Sequence, residues 1–243
     1  MTQLENQELE AALQVGRIEL NGQFLPGSNY TFLVTVHAGE ESVPAVYKPT
    51  RGEQPLWDFP VNSLAGREVA AYLVSEALGF GFVPFTVLRD DGPFGPGSLQ
   101  QFIDYNPGYH YFTFRPDDRE RLRPVALFDL LTNNADRKGS HLLIQKRTRR
   151  LFTIDHGLCF HASDKLRTVI WDFAGQVIPD ELLTAVENLR ASLTGTSSLR
   201  GALQPYLIVE ELTALESRAA ALLARREFPL PPEDRRSFPY PPL

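Results

Sequence analysis

The chain has 243 residues, of which 43% are hydrophobic and 22% are charged, and its formal net charge is -6. This length and composition suffice for one sizeable core, or for one core divided between two lobes. The excess of acid argues against a dedicated nucleic-acid binder, because phosphate contacts need clustered Lys and Arg. The single cysteine, Cys159, excludes an internal disulfide framework.

The N-terminal segment, residues 1–16, is acidic and lacks the apolar stretch of a signal peptide. No run in the sequence approaches the roughly 20 apolar residues that span a membrane. We therefore expect a soluble, cytoplasmic protein with no integral membrane association.

The first half of the chain predicts an antiparallel sheet with one helix. Apolar and polar residues alternate as they do in strands, and turn residues such as Asn21-Gly22 separate these stretches. One segment has the helical apolar period, with Ser63 as its N-cap and Gly79 as its stop. The predicted elements are strands at 17–20, 30–36 and 43–48, a helix at 63–79, and strands at 83–89 and 98–105.

The second half predicts mainly helices. A helix at 117–132 precedes two short strands at 142–145 and 151–155, and helices at 179–193 and 199–224 follow. The tail is rich in proline and is expected to lie extended or to be partly disordered. The fold class is therefore α+β. We predict an N-terminal lobe at 1–105, a C-terminal lobe at 106–228 and a tail at 229–243.

Four residues are candidates for the chemistry of phosphoryl transfer. Lys48 ends the third strand, where an ammonium is able to hold phosphates, and Glu68 lies in the following helix, where it is able to pair with Lys48. Asp136 lies in the polar loop at 133–141 and is a candidate base for an acceptor hydroxyl. Asp155 ends a strand and offers oxygen ligands to Mg²⁺. Taken singly, each residue also fits an ordinary surface or turn position.

These residues and their surroundings resemble the protein kinase-like superfamily. Lys48, Glu68, Asp136 and Asp155-His156-Gly157 match its order and approximate spacing, and Asp155-His156-Gly157 resembles its Asp-Phe-Gly motif. The segments at 46–49, 56–60, 64–68, 134–138 and 154–157 look more specifically like a bacterial family related to phosphatidylinositol 3- and 4-kinases. The resemblance implies a two-lobed kinase-like fold that uses ATP with Mg²⁺ or Mn²⁺.

The resemblance also implies roles for single residues. Asp136 becomes the catalytic base, and Lys138 contacts the transferred phosphate, where inositol lipid kinases usually have His. His141 takes the position of the second metal ligand, although imidazole is a poorer Mg²⁺ ligand than an oxygen group. Three alternatives stay open for His141: it favours a single metal, it favours a softer metal such as Mn²⁺, or it caps the loop.

Two further parts of the nucleotide site are predicted. The backbone N–H groups and side chains of Ser28 and Asn29 are candidates for binding the β- and γ-phosphates, although a plain hairpin turn explains this segment equally well. The resemblance places Gln101, Phe102 and Ile103 at the hinge between the lobes, where backbone groups bind adenine.

The sequence therefore predicts an ATP-dependent kinase that transfers the γ-phosphoryl group to a hydroxyl of a protein, a lipid headgroup or a small molecule. Lys138 and the acidic composition favour a protein or small-molecule acceptor over an inositol lipid. The alternative is a catalytically inactive nucleotide-binding module that regulates a partner. His141 and the absence of a glycine-triplet phosphate loop support that alternative.

Overall fold

The computed structural model of the chain describes residues 3–23, 30–194 and 198–243. Its N-terminal part contains a five-stranded antiparallel sheet with strand order β1-β2-β3-β5-β4. The predicted order of three strands, a helix and two strands is confirmed. The strands are β1 (Arg17–Gln23), β2 (Phe32–Ala38), β3 (Glu41–Pro49), β4 (Thr86–Arg89) and β5 (Gly97–Gln101).

The sheet buries one face in a small core of its own. Val34, Val36, Ala45 and Tyr47 alternate along β2 and β3, and all four are fully buried. Helix α1 (Gln3–Val15) covers this face and contributes the fully buried Leu13. No helix was predicted in this acidic segment, because its few apolar residues give only a narrow stripe.

The C-terminal part is mainly helical and contains the larger core, whose members include Leu127, Phe128 and Leu189. A short antiparallel hairpin lies beside the helices, with register Leu142↔Thr153. The remaining elements are α2 (Leu64–Ala77), α3 (Pro116–Glu120), α4 (Arg123–Thr132), β6 (Leu142–Ile144), β7 (Leu151–Thr153), α5 (Asp180–Leu193), α6 (Ser198–Leu203) and α7 (Val209–Arg225).

Two helices that were predicted as continuous are each divided in the structure. The predicted helix at 117–132 forms α3 and α4. Pro124 lies in the first turn of α4, where a backbone N–H has no partner within the helix, so the N–H that proline lacks is not needed there. The predicted helix at 199–224 forms α6 and α7 on either side of Pro205. Proline cannot continue the hydrogen-bond ladder of a helix interior, so both predictions of a single helix were wrong.

Helix α2 joins the sheet to the helical part. Ala70 and Val74 on its buried face pack into the larger core. Arg67 is fully buried, donates to the Cys159 carbonyl at 2.6 Å and forms an ion pair with Glu211 of α7. Glu68, the next residue, is therefore held at a fixed place between the two parts of the molecule.

The tail at 229–243 contains no helix or strand, as its prolines predicted. Within the described part of the chain, no helix is both long and apolar enough to cross a membrane.

Candidate active site

A cavity of about 340 Å³ lies between the sheet and the helical part, and residues from both parts line it. This volume is in the range of small-molecule sites. Many of the residues that the sequence predicted for the site are brought together here. Those that line the cavity are Lys48, Glu68, Gln101, Phe102, Ile103, Asp136, Lys138 and Asp155.

Lys48 lies between two carboxylates in this cavity. Its Nζ is 2.5 Å from Oε1 of Glu68 and 2.9 Å from Oδ1 of Asp155. Burial disfavours the charged ammonium, but the charges of Asp155 and Glu68 outweigh burial and raise the pKa of Lys48 above its ordinary value. Lys48 is therefore a permanently charged group in the cavity.

Glu68 connects Lys48 to the Asp155-His156-Gly157 segment. Its side chain is buried, and while Oε1 binds Lys48, Oε2 accepts a hydrogen bond from the His156 N–H at 2.9 Å. The His156 ring is fully buried, and burial lowers its pKa well below the ordinary value. His156 is thus neutral, and Glu68 links the charged Lys48 to the backbone of the segment that carries Asp155.

Asp155 projects into the cavity from a left-handed backbone conformation, with φ of 63°. Its side chain is 49% exposed, and Oδ2 is 3.2 Å from Nε2 of His141. The charge of Lys48 lowers the pKa of Asp155 well below its ordinary range, against the opposing effect of burial. Asp155 therefore remains a carboxylate with one face open to the cavity.

His141 lies at the end of a 3₁₀ turn at 139–141 and is buried. Burial lowers its pKa to about 4, so the ring is neutral at neutral pH. Its Nδ1 accepts weakly from the Lys138 N–H at 3.4 Å. In that tautomer Nε2 carries the proton and donates to Asp155. His141 is therefore placed to orient Asp155 through a hydrogen bond.

Asp136 and Lys138 form an ion pair at the same cavity, with 3.1 Å between Nζ and Oδ2. The Asp136 N–H donates to Oδ1 of Asn134 at 3.0 Å, which orders the loop. Burial raises the pKa of Asp136, although Lys138 acts in the opposite direction. A raised pKa makes the carboxylate a better proton acceptor than an exposed Asp.

A buried ion pair supports the loop of Asp136, residues 133–141, and the sequence did not reveal it. Asp129 of α4 and Arg137 are both fully buried, with 2.9 Å between Oδ1 and Nη2. Asp129 also accepts from Asn134 at 3.2 Å and from the Thr168 hydroxyl at 3.1 Å. Arg137 donates through Nη1 to the Ile154 carbonyl at 2.8 Å. The pair therefore connects the loop of Asp136 to the strand end of Asp155.

Glu53 is a second site residue that the sequence did not reveal. It lines the cavity and accepts hydrogen bonds from the N–H groups of Leu64 at 3.1 Å and Ala65 at 2.8 Å. These groups are the unpaired donors at the first turn of α2. Burial raises the pKa of Glu53 despite these bonds. Glu53 thus caps the helix that carries Glu68.

The hinge residues differ in what their backbone offers. The Gln101 N–H donates to the Phe85 carbonyl at 2.9 Å, and the Phe102 N–H donates to the Pro44 carbonyl at 3.2 Å. Among the described residues, the Ile103 N–H has no hydrogen-bond partner. Of the three N–H groups, that of Ile103 is the one still able to bind a nucleobase.

The remaining predictions concern phosphates and metal. Ser28 and Asn29 lie outside the described residues. Within the described ranges, no group of three or more His, Cys, Asp or Glu residues is arranged to hold a metal ion. Asp155 and His141 form a pair, which fits a metal that draws its other ligands from nucleotide oxygens and water, as Mg²⁺ commonly does.

Comparison with known proteins identifies the family. Residues 61–188 match the family model described as phosphatidylinositol 3- and 4-kinase. The chain belongs to this family. The matched region contains Glu68, Asp136 and Asp155, while Lys48 precedes it. Protein Rv2133c of Mycobacterium tuberculosis is 39% identical over 266 aligned residues, which cover 95% of this chain and 94% of that protein.

Solved structures of kinases share the fold. The Golgi casein kinase with Mn/ADP bound superposes with a TM-score of 0.60 at 15% identity, covering 92% of this chain and 76% of the other. The Helicobacter pylori proinflammatory kinase CtkA gives 0.52 at 11% identity, covering 87% and 93%. At these identities the likeness concerns the fold, and it confirms the predicted kinase-like α+β arrangement.

Proposed function

We propose that the protein is an ATP-dependent phosphotransferase that acts on a hydroxyl group. The observation that carries this proposal is the position of Lys48 between Glu68 and Asp155, in a cavity that Asp136 also lines. A fixed ammonium, a metal-binding carboxylate and a second carboxylate for the acceptor are the parts that phosphoryl transfer requires. The family match and the kinase-like fold support the same reaction class.

The nucleotide is proposed to lie in the cavity with its base against Ile103 and its phosphates toward Lys48. The free Ile103 N–H supports this orientation, since a buried donor gains most from a partner. Apolar side chains of Val46, Leu143 and Ile154 line the cavity and offer faces to a planar base. Lys48 binds the α- and β-phosphates, as an ammonium held by Glu68 is pre-oriented for that task.

The metal is proposed to bind at Asp155. Its carboxylate is half exposed on the cavity and remains ionised, which suits a hard divalent cation such as Mg²⁺ or Mn²⁺. When bound, the cation neutralises charge on the phosphate oxygens. His141 either completes the ligand set, as its position in the motif predicts, or orients Asp155 through the hydrogen bond described above.

Asp136 is proposed as the catalytic base. The acceptor oxygen forms a bond to the γ-phosphorus, the bond from that phosphorus to the β–γ bridging oxygen breaks, and ADP leaves. The acceptor proton passes to the Asp136 carboxylate. Lys138 is 3.1 Å from that carboxylate and is placed to contact the transferred phosphoryl group. The acceptor remains a hydroxyl of a protein, a lipid headgroup or a small molecule, with the first and last favoured by Lys138.

The test compares Asp136→Asn with the unaltered chain in ADP production, with ATP and either Mg²⁺ or Mn²⁺. We expect the variant to retain ATP binding and to lose turnover by about 100-fold or more, because a positioned base contributes about 10²–10⁴-fold. Asp117→Asn is the matched control, since Asp117 is exposed on α3 away from the cavity lining. Equal turnover in Asp136→Asn and the unaltered chain contradicts the proposal.

A nucleotide-binding module without turnover is the second candidate. It is favoured by one observation, namely that both oxygens of Asp155 already have protein partners, Lys48 and His141. ATP binding that is lost in Lys48→Met, together with no turnover under either metal, supports this second reading over the first.

A further inference from the structure

The C-terminal tail, residues 229–243, has six prolines and no regular secondary structure, yet hydrogen bonds hold it to the rest of the molecule. The Arg235 guanidinium is 2.8 Å from the Leu166 carbonyl and 2.6 Å from a carboxylate oxygen of Asp164. The Ser237 carbonyl accepts from the Thr168 N–H at 3.1 Å and from the Trp171 indole N–H at 3.2 Å. The tail therefore follows one particular path.

Near its end the tail is hydrogen-bonded to the loop of Asp136, residues 133–141. The Pro242 carbonyl accepts a hydrogen bond from the Gly139 N–H at 2.8 Å. Gly139 directly follows Lys138, and it packs so closely under Phe112 that a Cβ at this position would be 2.8 Å from the ring. The loop next to Asp136 is thus enclosed by Phe112 and by the tail.

The segment under the tail, residues 164–171, is also bonded to the catalytic loop, and we name it the acceptor-side segment. The Arg137 N–H donates to the Arg167 carbonyl at 2.9 Å, and the Val169 N–H donates to the Arg137 carbonyl at 3.1 Å. These bonds form a parallel bridge between Arg137 and Thr168. Arg137 directly follows Asp136, so these bonds place the segment beside the proposed base.

In the proposed reaction an acceptor hydroxyl has to reach Asp136, whose neighbour Arg137 is hydrogen-bonded to the acceptor-side segment. We propose that the tail is a positioning element of the transfer reaction. By binding Gly139 and the acceptor-side segment together, it holds the catalytic loop so that Asp136 and Lys138 keep their orientation toward the acceptor. This inference rests on the function proposed above.

The experiment compares the full chain with a chain ending at Pro239, which lacks only Tyr240–Leu243 and therefore the Pro242–Gly139 hydrogen bond. The assay is ADP production from ATP with Mg²⁺, analysed as kcat and as KM for ATP. We expect kcat to fall about tenfold while KM for ATP changes less than about twofold, since small misplacements of a catalytic group act on the chemical step. Arg235→Ala is expected to act in the same direction, and Arg235→Lys to restore part of the loss.

Glu233→Gln is the control within the tail, because Glu233 is exposed and makes no hydrogen bond or ion pair with the described residues. A second measurement is amide hydrogen exchange at Gly139 in the intact chain and in the chain ending at Pro239. We expect slow exchange in the former and faster exchange in the latter. This measurement needs no turnover and still applies where the shortened chain is less stable.

An unchanged kcat in the shortened chain overturns the inference, because the tail then does not position the loop. An increased kcat also overturns it, because the tail then covers the site and inhibits the reaction. Both outcomes leave the proposed phosphotransferase function standing. Exchange at Gly139 in the intact chain as fast as in an exposed amide also overturns it. Turnover in the full chain that does not depend on Asp136 overturns the proposed function, and this inference with it.

Discussion

Replacing Arg137 by Met tests the buried ion pair beneath the loop of Asp136. Arg137 and Asp129 are both fully buried, and Arg137 donates to both oxygens of Asp129 and to the Ile154 carbonyl. Its loss leaves a buried carboxylate with two neutral donors, the Asn134 amide and the Thr168 hydroxyl. Breaking one side of a buried pair typically costs about 3–5 kcal/mol, which we expect here. For a chain of this size, the melting temperature should fall by roughly 10 °C.

The double variant Asp129→Leu with Arg137→Met separates stability from activity. Removing both charges leaves no unpaired buried carboxylate, and apolar replacements of buried pairs are often neutral or stabilising. We therefore expect the double variant to regain most of the lost free energy of unfolding. Turnover should stay low, because Leu at position 129 accepts no hydrogen bond from Asn134 or Thr168, and Met at position 137 donates none to the Ile154 carbonyl.

The assay is urea unfolding of both single variants and the double variant, with ADP production measured on the same samples. Arg190→Met is the control, since Arg190 is an exposed residue of α5 whose side chain has no ion pair or hydrogen bond among the described residues. A cost below about 1 kcal/mol for Arg137→Met, which is the range of exposed pairs, would refute the reasoning.

Two further predictions concern the cavity. Lys48→Met should lower kcat/KM for ATP by at least about 100-fold, because the phosphates lose the ammonium that binds them. The measurement is ADP production, and an unchanged kcat/KM would show that Lys48 is not part of the site. His141→Asn should lessen the acid sensitivity of folding. In the folded protein the pKa of His141 is about 4, so the ring stays neutral, whereas in the unfolded chain the same ring takes up a proton near its ordinary pKa of 6.5. The free energy of unfolding therefore falls as the pH drops from about 6.5 to 4, by up to about 3 kcal/mol for this residue. Unfolding at pH 7 and pH 5 checks this, and an equal pH dependence in both proteins contradicts it.

The order of elements and the charged residues of the cavity were accessible from the sequence because each depends on short-range signals. Alternation along β2 and β3 sets the buried face of the sheet, and Lys48 follows directly from it at the strand end. The hairpin of β6 and β7 separates Asp136 from Asp155, so a prediction of two paired strands already brings both carboxylates to one end. The boundaries of the two lobes remain a prediction.

Long-range partners could not be read in the same way. Asp129 is an acidic residue in a helix pattern, and only the folded chain shows that Arg137, Asn134 and Thr168 converge on it. Glu53 lies in a loop, eleven residues before the helix end that it caps. Several bonds along the tail are accepted by the carbonyl groups of Leu166, Ser237 and Pro242, and every residue possesses a carbonyl, so no residue type marks these contacts in the sequence.

Three consecutive residues explain why the parts of the site act together. The Ile154 carbonyl binds Arg137, the Asp155 carboxylate binds Lys48 and His141, and the His156 N–H binds Glu68. Each residue is thus held from a different element, and Asp155 adopts a left-handed conformation that is uncommon for a residue other than glycine. A change at Glu68 or at Arg137 therefore displaces the same carboxylate, although neither residue contacts it directly through the hydrogen bonds described. For this reason we expect substitutions at these two positions to be non-additive in their effect on turnover.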